Sequence, residues 1–259
     1  MSDIPMHLAR SFDEVADLYD AHRPGYPPAL FVDLMAEAQL GLDDLILELG
    51  CGTGQATRGL APFGRQVLAI DPGAELVGVA RRRLEAFPHV HFEVASFEDW
   101  APSVCRLIVS AQAFHWIDPR VALPKAADVL APGGLLACFA HVPEPPPADY
   151  LGVFEPIYGR LAPELWVDPP ERWYWPGGAF AQGLAASGLF GPAEHRAYPA
   201  TRTYTAQAFV DYLRTRSDYR ALGPERLDVL LAAVAQAVTD GGGVIEMDMP
   251  AHLHLAWRL

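Results

Sequence analysis

The chain has 259 residues, of which 51% are hydrophobic and 20% charged. This balance is typical of a protein that buries a large core, and the length fits one α/β domain, so both argue against a disordered chain. The 19 basic and 32 acidic side chains give a formal charge of −13. Such a surface repels phosphate backbones and anionic lipids, which disfavours nucleic-acid and membrane-surface partners.

The sequence carries no feature of export or membrane insertion. No basic segment followed by an apolar one opens the chain, and no apolar run reaches the roughly 18 residues that cross a bilayer. Cys51, Cys105 and Cys138 have neither disulfide-type nor zinc-type spacing. We therefore expect a soluble, cytoplasmic protein without a metal site, either a monomer or a homodimer.

Residues 1–40 are predicted to form a helical segment ahead of the main domain. Residues 41–142 then alternate short apolar runs with helix-period segments, the pattern of a parallel sheet covered by helices on both faces. The predicted strands are residues 44–49, 66–70, 90–95, 105–110 and 134–140. The predicted helices are residues 55–63, 75–87 and 119–130, the last followed by a turn at 131–134.

Two later segments interrupt this repeat: residues 143–190, rich in proline and aromatics, and residues 206–240, which are helix-patterned. Both are expected to cap the end of the sheet at which substrates bind. Alternation of polar and apolar residues predicts an antiparallel closing strand within 245–259, with a partner within 191–205. The fold class is thus α/β, a Rossmann-like, doubly wound, seven-stranded and mostly parallel sheet, in one domain of residues 1–259.

Three glycines follow the first predicted strand, at positions 50, 52 and 54. Glycine tolerates positive φ and lets a ligand approach the backbone closely. The third glycine of the dinucleotide pattern G-x-G-x-x-G would stand at position 55, where the chain has Gln55. A ligand without a pyrophosphate is therefore favoured.

Two carboxylates stand beside this turn. Asp71 ends the second predicted strand, where an acid can accept hydrogen bonds from both hydroxyls of a ribose. Glu48 precedes the turn, and burying it is costly unless it finds donors or a cation, which an ammonium group of the ligand could supply. Turn and acids together predict a nucleoside ligand.

In these residues the chain resembles the class I S-adenosylmethionine-dependent methyltransferases, in particular their type 11 and trans-aconitate-methyltransferase-like groups. The similarity covers most of the chain. The residues that carry it are Leu45-Ile46-Leu47-Glu48-Leu49-Gly50-Cys51-Gly52-Thr53-Gly54, Ile70-Asp71-Pro72, Ala95-Ser96-Phe97-Glu98-Asp99, Ser110-Ala111-Gln112-Ala113-Phe114-His115-Trp116 and Leu130-Ala131-Pro132-Gly133-Gly134.

The resemblance implies S-adenosyl-L-methionine as cofactor and S-adenosyl-L-homocysteine as product. The cofactor site it implies has a methionine part wrapped by the turn, a ribose held by an acid, an adenine framed by the next strand end, and a lid. Its residues are Glu48, Gly50, Cys51, Gly52, Gly54, Asp71, Pro72, Ser96, Phe97 and Gln112, with Tyr19 and Arg23 in the lid. The side chain of Cys51 is itself expected to be packing filler.

A small-molecule methyl acceptor is expected beside the cofactor. The predicted acceptor pocket comprises Tyr26, His115, Trp116, His141, Trp173 and Tyr174. For a hydroxyl acceptor, His115 is the predicted general base, although a histidine beside a tryptophan is equally a packing pair. A carboxylate acceptor needs no base, and Arg23 or Arg172 could orient it.

Three functions are compatible with these residues. They are a small-molecule methyltransferase, a non-catalytic module that binds S-adenosylmethionine or S-adenosylhomocysteine, and a nucleotide-dependent oxidoreductase. Gln55 counts against the oxidoreductase. We favour the methyltransferase, acting by in-line displacement on a hydroxyl or a carboxylate.

Overall fold

The computed structural model describes residues 16–101, 103–167 and 173–259. The strands in these ranges are β1 Leu45–Leu49, β2 Gln66–Asp71, β3 Val90–Val94, β4 Cys105–Ala111, β5 Leu130–His141, β6 Glu194–Tyr198, β7 Thr201–Thr205, β8 Val244–Asp248 and β9 Ala251–Trp257. The α-helices are α1 Ala16–His22, α2 Pro28–Ala38, α3 Gln55–Leu60, α4 Ala74–Arg83, α5 Pro119–Val129, α6 Ala148–Leu161, α7 Glu164–Val167, α8 Ala179–Ser187, α9 Ala206–Arg214, α10 Ser217–Arg220 and α11 Pro224–Asp240.

Seven of the strands form one sheet in the order β3-β2-β1-β4-β5-β9-β6. Strands β1 to β5 run parallel, while β9 is antiparallel to both of its neighbours, β5 and β6. The central strands are almost entirely apolar, as strands covered on both faces must be. The predicted Rossmann-like sheet and its antiparallel closing strand are confirmed.

Each face of this sheet carries its own hydrophobic core. One core joins Leu34 of α2 and Leu60 of α3 to Ile46 of β1. The other joins Ala126 of α5 and Leu184 of α8 to the strands from the opposite side. Side chains alternate between the two faces along a strand. Burial of the strands in these two cores therefore fixes the face toward which each side chain at a strand end points.

The strand order fixes where a ligand can bind. The chain builds β2 and β3 on one side of β1 and then returns to place β4 on the other side. In open α/β sheets the connecting loops diverge at such a reversal and leave a crevice beyond the carboxyl ends of the strands. The ends of β1 and β4, at Leu49 and Ala111, therefore flank the expected site.

A third hydrophobic core unites the two predicted insertions. It contains Phe154 of α6, Phe209 of α9, Tyr219 of α10 and Leu230 of α11. The predicted boundary of the first insertion needs correction, because Phe180 of α8 packs in the core on the sheet. The cap therefore does not extend to residue 190.

The two predicted closing strands are each divided. Of residues 191–205, only β6 pairs with β9, whereas β7 pairs with β8 in a separate two-stranded sheet. Pro199 and Pro250 lie in the breaks between these strands. Because proline has no amide hydrogen, the ladder cannot continue through either position.

Two other boundaries differ from the predictions. Helix α4 ends at Arg83 instead of residue 87, because Leu84 has a non-helical backbone. Strand β5 begins at Leu130 instead of residue 134, and the expected turn lies inside the strand. There the register shifts, and Gly133 takes a left-handed φ of 67° that allows the backbone to bulge.

The described part of the N-terminal segment is helical, as predicted, and packs against the sheet domain. The carboxylate of Asp20, on α1, accepts hydrogen bonds from Arg58 at 3.3 Å and from Arg83 at 2.8 Å. Residues 1–15 of this segment lie outside the described residues.

None of the helices within residues 16–101, 103–167 and 173–259 combines the length and the apolar composition that crossing a bilayer requires.

Alanine at Gly59 and at Gly152 should change stability in opposite directions. A Cβ at Gly59, in α3, would lie 2.1 Å from Cε2 of Phe31, whereas no atom lies within 4 Å of one at Gly152, in α6. We expect Gly59→Ala to lower the free energy of unfolding by roughly 1–3 kcal/mol through overpacking. Gly152→Ala should raise it by about 0.5–1 kcal/mol through helix propensity. Urea unfolding measures both, and equal effects would contradict the close approach of α2 and α3.

Candidate active site

The glycine turn closes the carboxyl end of β1. Gly50, Gly52 and Gly54 have φ values of 69°, 55° and 87°, which side chains rarely adopt. The amides of Gly50 and Cys51 donate to the Ile70 carbonyl at 2.8 and 3.1 Å, which ties the turn to β2. A Cβ on Gly50 would lie 2.3 Å from that of Ala113, so the turn also approaches the end of β4 too closely for a side chain.

Glu48 is a fully buried carboxylate on the same face of β1 as Ile46. Neither carboxylate oxygen has a hydrogen-bond partner. Burial raises the pKa of Glu48 to about 8, and the negative charge of Asp71 adds to the rise, while the nearby Thr57 partly opposes it. Glu48 borders a small recess together with Arg23, Gly52 and other residues of the turn and lid. An isolated carboxylate of this kind is suited to a cation that enters the recess.

Asp71 joins the glycine turn to the start of the next helix. One carboxylate oxygen accepts from the Gly52 amide at 2.9 Å, and the other accepts from the Gly73 amide at 2.8 Å. Asp71 also lines the main cleft beside Pro72, and Ser96, Gln112 and His115 are other residues of this cleft. Its placement suits a ligand with two adjacent hydroxyls, as the sequence predicted for a ribose.

The lid, formed by α1 and by Arg23 just after it, borders the recess of Glu48. Tyr19 lies over the turn, since a Cβ on Gly52 would be 3.7 Å from its ring. The Arg23 guanidinium lies between the rings of Tyr19 and Tyr212, and its Nη2 donates to the Thr215 carbonyl at 2.8 Å. Its buried Nε has no hydrogen-bond partner. The recess thus brings an unpartnered cationic N–H and an unpartnered acid under one lid.

The turn after β3 forms the far wall of the cleft. Ser96 and Phe97 line it, and the Ser96 hydroxyl donates to Asp99 at 2.9 Å. Lys125 of α5 fixes this turn by donating to the carbonyls of Glu98 and Trp100 at 3.0 and 2.8 Å. The contribution of Lys125 was not found from the sequence, because Lys125 lies on a helix beyond the next strand, β4.

Gln112 holds a strained position at the end of β4. Its φ of 52° is one of two positive values among the described residues other than glycine. The amide of Gln112 donates to the Phe139 carbonyl at 2.8 Å, and its side-chain oxygen accepts from the Tyr26 hydroxyl at 3.2 Å. Gln112 lines both the main cleft and the recess.

One part of the cleft is lined by aromatic side chains. His115, Trp116 and Tyr174 line it with Ile117. The His115 Nδ1 lies 3.1 Å from the Tyr174 hydroxyl. Burial lowers the pKa of His115 to about 4, so its ring is neutral near pH 7.

Two residues predicted for the acceptor pocket, His141 and Trp173, line neither the main cleft nor the recess. His141 is buried and stacks on Tyr26 at 4.6 Å, with its nitrogens 2.9 and 3.2 Å from the carbonyls of Met249 and Gly25. Trp173 packs behind Tyr174, 5.0 Å between ring centroids. Both therefore support the site from behind, because neighbouring rings separate them from the cleft. Arg172 lies outside the described residues.

The remaining predicted residues are Cys51, Gly54 and Tyr26. They contribute by packing, by their backbone conformation or by bordering the recess. Cys51 is buried in the core beneath the turn, in agreement with its expected packing role, and burial raises the pKa of its thiol well above the usual range. Gly54 starts α3 with a left-handed backbone, and a Cβ there would lie 2.9 Å from Leu84. Tyr26 borders the recess with the lid.

The cap supplies cleft residues that sequence reasoning missed. Arg216, Ser217 and Asp218, around the start of α10, line the main cleft. The Arg216 Nε and Nη2 donate to the two carboxylate oxygens of Asp218 at 3.1 and 2.6 Å. In the sequence, Arg216, Ser217 and Asp218 lie in a helical segment. Nothing in that pattern indicated that the ion pair of Arg216 and Asp218 would line the cleft.

A reversal of strand order, a glycine turn and an acid at the second strand end define a Rossmann-like protein whose cleft suits a nucleoside ligand. Comparison with known proteins agrees with this class. The chain matches the family model described as a methyltransferase domain over residues 47–138.

Relatives with assigned names are also methyltransferases. A ubiquinone biosynthesis O-methyltransferase of Xanthomonas campestris pv. campestris is 33% identical over 171 residues, which are 61% of this chain and 71% of that protein. An uncharacterized methyltransferase of Mycobacterium tuberculosis is 36% identical over 132 residues, 50% of this chain and 51% of the relative. In the latter comparison the chain spans about half the length of its relative.

A solved structure extends the likeness over most of the chain. A protein from Anaeromyxobacter dehalogenans, with a provisional assignment as a type II methyltransferase, aligns at a TM-score of 0.60 and 26% identity. The alignment covers 90% of this chain and 97% of that one. The chain therefore belongs to the class I S-adenosylmethionine-dependent methyltransferases, as the sequence predicted, and this assignment counts against the oxidoreductase alternative.

The burial of Glu48 should make the stability of the ligand-free protein depend on pH. Its pKa is about 8 when folded against a usual value of 4.5, so the stability it contributes is complete below pH 4.5 and is lost as the pH rises toward 8. Glu48→Gln should remove this loss, and the variant should gain on the order of 3 kcal/mol over the wild type between pH 5 and 8.

Urea unfolding at several pH values measures that difference. Glu85→Gln provides the control, because it makes the same substitution at an exposed position. A constant offset between Glu48→Gln and the wild type across the range would mean that Glu48 is ionised throughout.

Proposed function

We propose that the protein transfers a methyl group from S-adenosylmethionine to a hydroxyl or carboxylate of a small molecule. The observation that carries this proposal is the recess beneath the lid, where Glu48 and the Nε of Arg23 are both buried without a partner. An amino-acid end with an ammonium and a carboxylate would satisfy both groups at once. The methionine part of S-adenosylmethionine has these two groups.

The main cleft fits the remainder of the cofactor. Asp71 would accept hydrogen bonds from the ribose hydroxyls, and the turn of Ser96 and Phe97 would frame the adenine. Gln112 would lie along the cofactor, with its side chain held by Tyr26. Recess and cleft share Tyr19, Arg23, Gly50, Gly52, Ala111 and Gln112, so one molecule can occupy both.

The acceptor would lie at the aromatic end of the cleft. When bound, the cofactor supplies a methyl group on a positively charged sulfur, and an acceptor atom displaces that sulfur in line. The contribution of the protein is then to align the acceptor and to exclude water. His115, Trp116 and Tyr174 would form the wall against which the acceptor is held. The name of the Xanthomonas relative refers to an oxygen acceptor in that protein, which supports oxygen here.

The surroundings favour a small, soluble acceptor. A formal charge of −13 disfavours nucleic-acid and membrane-surface substrates. Cys51, Cys105 and Cys138 are buried and free, which supports a reducing, cytoplasmic location.

Replacing Asp71 should weaken cofactor binding. We expect Asp71→Asn to lower the affinity for S-adenosylmethionine and S-adenosylhomocysteine roughly 10-fold to 100-fold, since a ribose hydroxyl loses a charged acceptor. Isothermal titration calorimetry measures both ligands, with Asp128→Asn, at an exposed position on α5, as the control. Equal affinities in Asp71→Asn and the wild type would contradict the ribose assignment.

A transfer assay separates the enzyme from a binding module. Labelled methyl from S-adenosylmethionine should appear in at least one member of a panel of small carboxylic acids, phenols and alcohols. Tight cofactor binding without transfer to any of them would instead support the non-catalytic module.

A further inference from the structure

Tyr174 is held at both of its polar ends. Its side chain is 1% exposed. Its backbone carbonyl accepts a hydrogen bond from Nε2 of His254 on β9 at 2.7 Å, and its hydroxyl lies 3.1 Å from Nδ1 of His115. The first contact fixes the backbone of Tyr174 against the closing strand, and the second directs its phenol toward His115.

The hydrogen bond between Tyr174 and His115 can have only one direction if the phenol hydrogen is to have an acceptor. Among the described residues, the Tyr174 hydroxyl has Nδ1 of His115 as its hydrogen-bond partner. If Nδ1 donated to the phenol oxygen, the buried phenol hydrogen would have no acceptor among these residues, which is costly. The Tyr174 hydroxyl must then donate to Nδ1.

The other nitrogen of the ring is available to a ligand in the cleft. Nε2 of His115 makes no hydrogen bond to any described residue, and His115 lines the main cleft. A neutral imidazole carries one proton, and Nδ1 is occupied as an acceptor. We infer that the hydroxyl of Tyr174 fixes His115 as the tautomer with its proton on Nε2, so that His115 donates a hydrogen bond to the methyl acceptor.

This inference rests on the proposed function and narrows it. A histidine that presents N–H to the acceptor cannot take a proton from it, so the general-base role predicted from the sequence is replaced by a positioning role. The acceptor is then an oxyanion, such as a carboxylate or an ionised phenol. Its oxygen lone pair forms the bond to the methyl carbon, the carbon–sulfur bond breaks with its electron pair left on sulfur, and no proton has to move.

Glutamine and leucine at position 115 distinguish a donor from a base. Glutamine keeps an N–H donor but takes up no proton at neutral pH, whereas leucine does neither. With labelled S-adenosylmethionine and a panel of benzoate, 4-nitrophenolate and benzyl alcohol, we expect transfer to the first two. On the best acceptor, His115→Leu should lower kcat roughly 100-fold, and His115→Gln no more than about 10-fold. Equal losses in the two variants, or transfer to benzyl alcohol alone, would overturn the inference.

The tautomer can be tested without turnover. In the ligand-free protein with ¹⁵N-labelled histidine rings, two-bond ¹H–¹⁵N spectra should show His115 protonated on Nε2, with His115→Gln identifying its signals. Tyr174→Phe keeps the ring but removes the hydroxyl, and it should shift the Nδ1 signal. A wild-type ring protonated on Nδ1 would refute the role of Tyr174. Failure of methyl transfer with every acceptor would instead count against the proposed function.

Discussion

The site depends on one costly feature, the carboxylate of Glu48 buried at the end of the central strand. Both oxygens lack partners, and burial raises its pKa to about 8. A protein keeps an unsatisfied buried acid when a ligand supplies what the fold does not. Here the glycine turn leaves room beside the acid, and the lid places the Nε of Arg23 at the same recess.

The lid links the sheet domain to the cap. Asp20 of α1 is bound by Arg58 and Arg83 of the sheet domain, whereas Arg23, just after this helix, donates to Thr215 of the cap. The recess is therefore bounded by parts of the chain that are far apart in sequence. A ligand that binds both Glu48 and Arg23 stabilises the contacts of the lid with the sheet domain and with the cap. Ligand binding is therefore coupled to the position of the lid.

The sequence alone was sufficient to predict the features that depend on local residue patterns. Apolar runs located the strands of the sheet, and the glycines with Asp71 located the cofactor end, because turn geometry requires particular residues at particular positions. Tertiary contacts decided the rest. Arg216 faces the cleft only because α10 packs in the cap, His141 is kept from the cleft by Tyr26, and the tautomer of His115 depends on a tyrosine 59 positions away. None of these follows from periodicity or spacing.

The most direct test of this account is the proton balance of cofactor binding. At pH 7 an acid with a pKa of about 8 is mostly protonated, and it must ionise to pair with the ammonium of the ligand. Calorimetric titration with S-adenosylmethionine in buffers of different ionisation enthalpy should show the release of close to one proton per ligand, and Glu48→Gln should abolish it. Binding that releases no proton in the wild type, or as many in Glu48→Gln, would contradict the role assigned to Glu48.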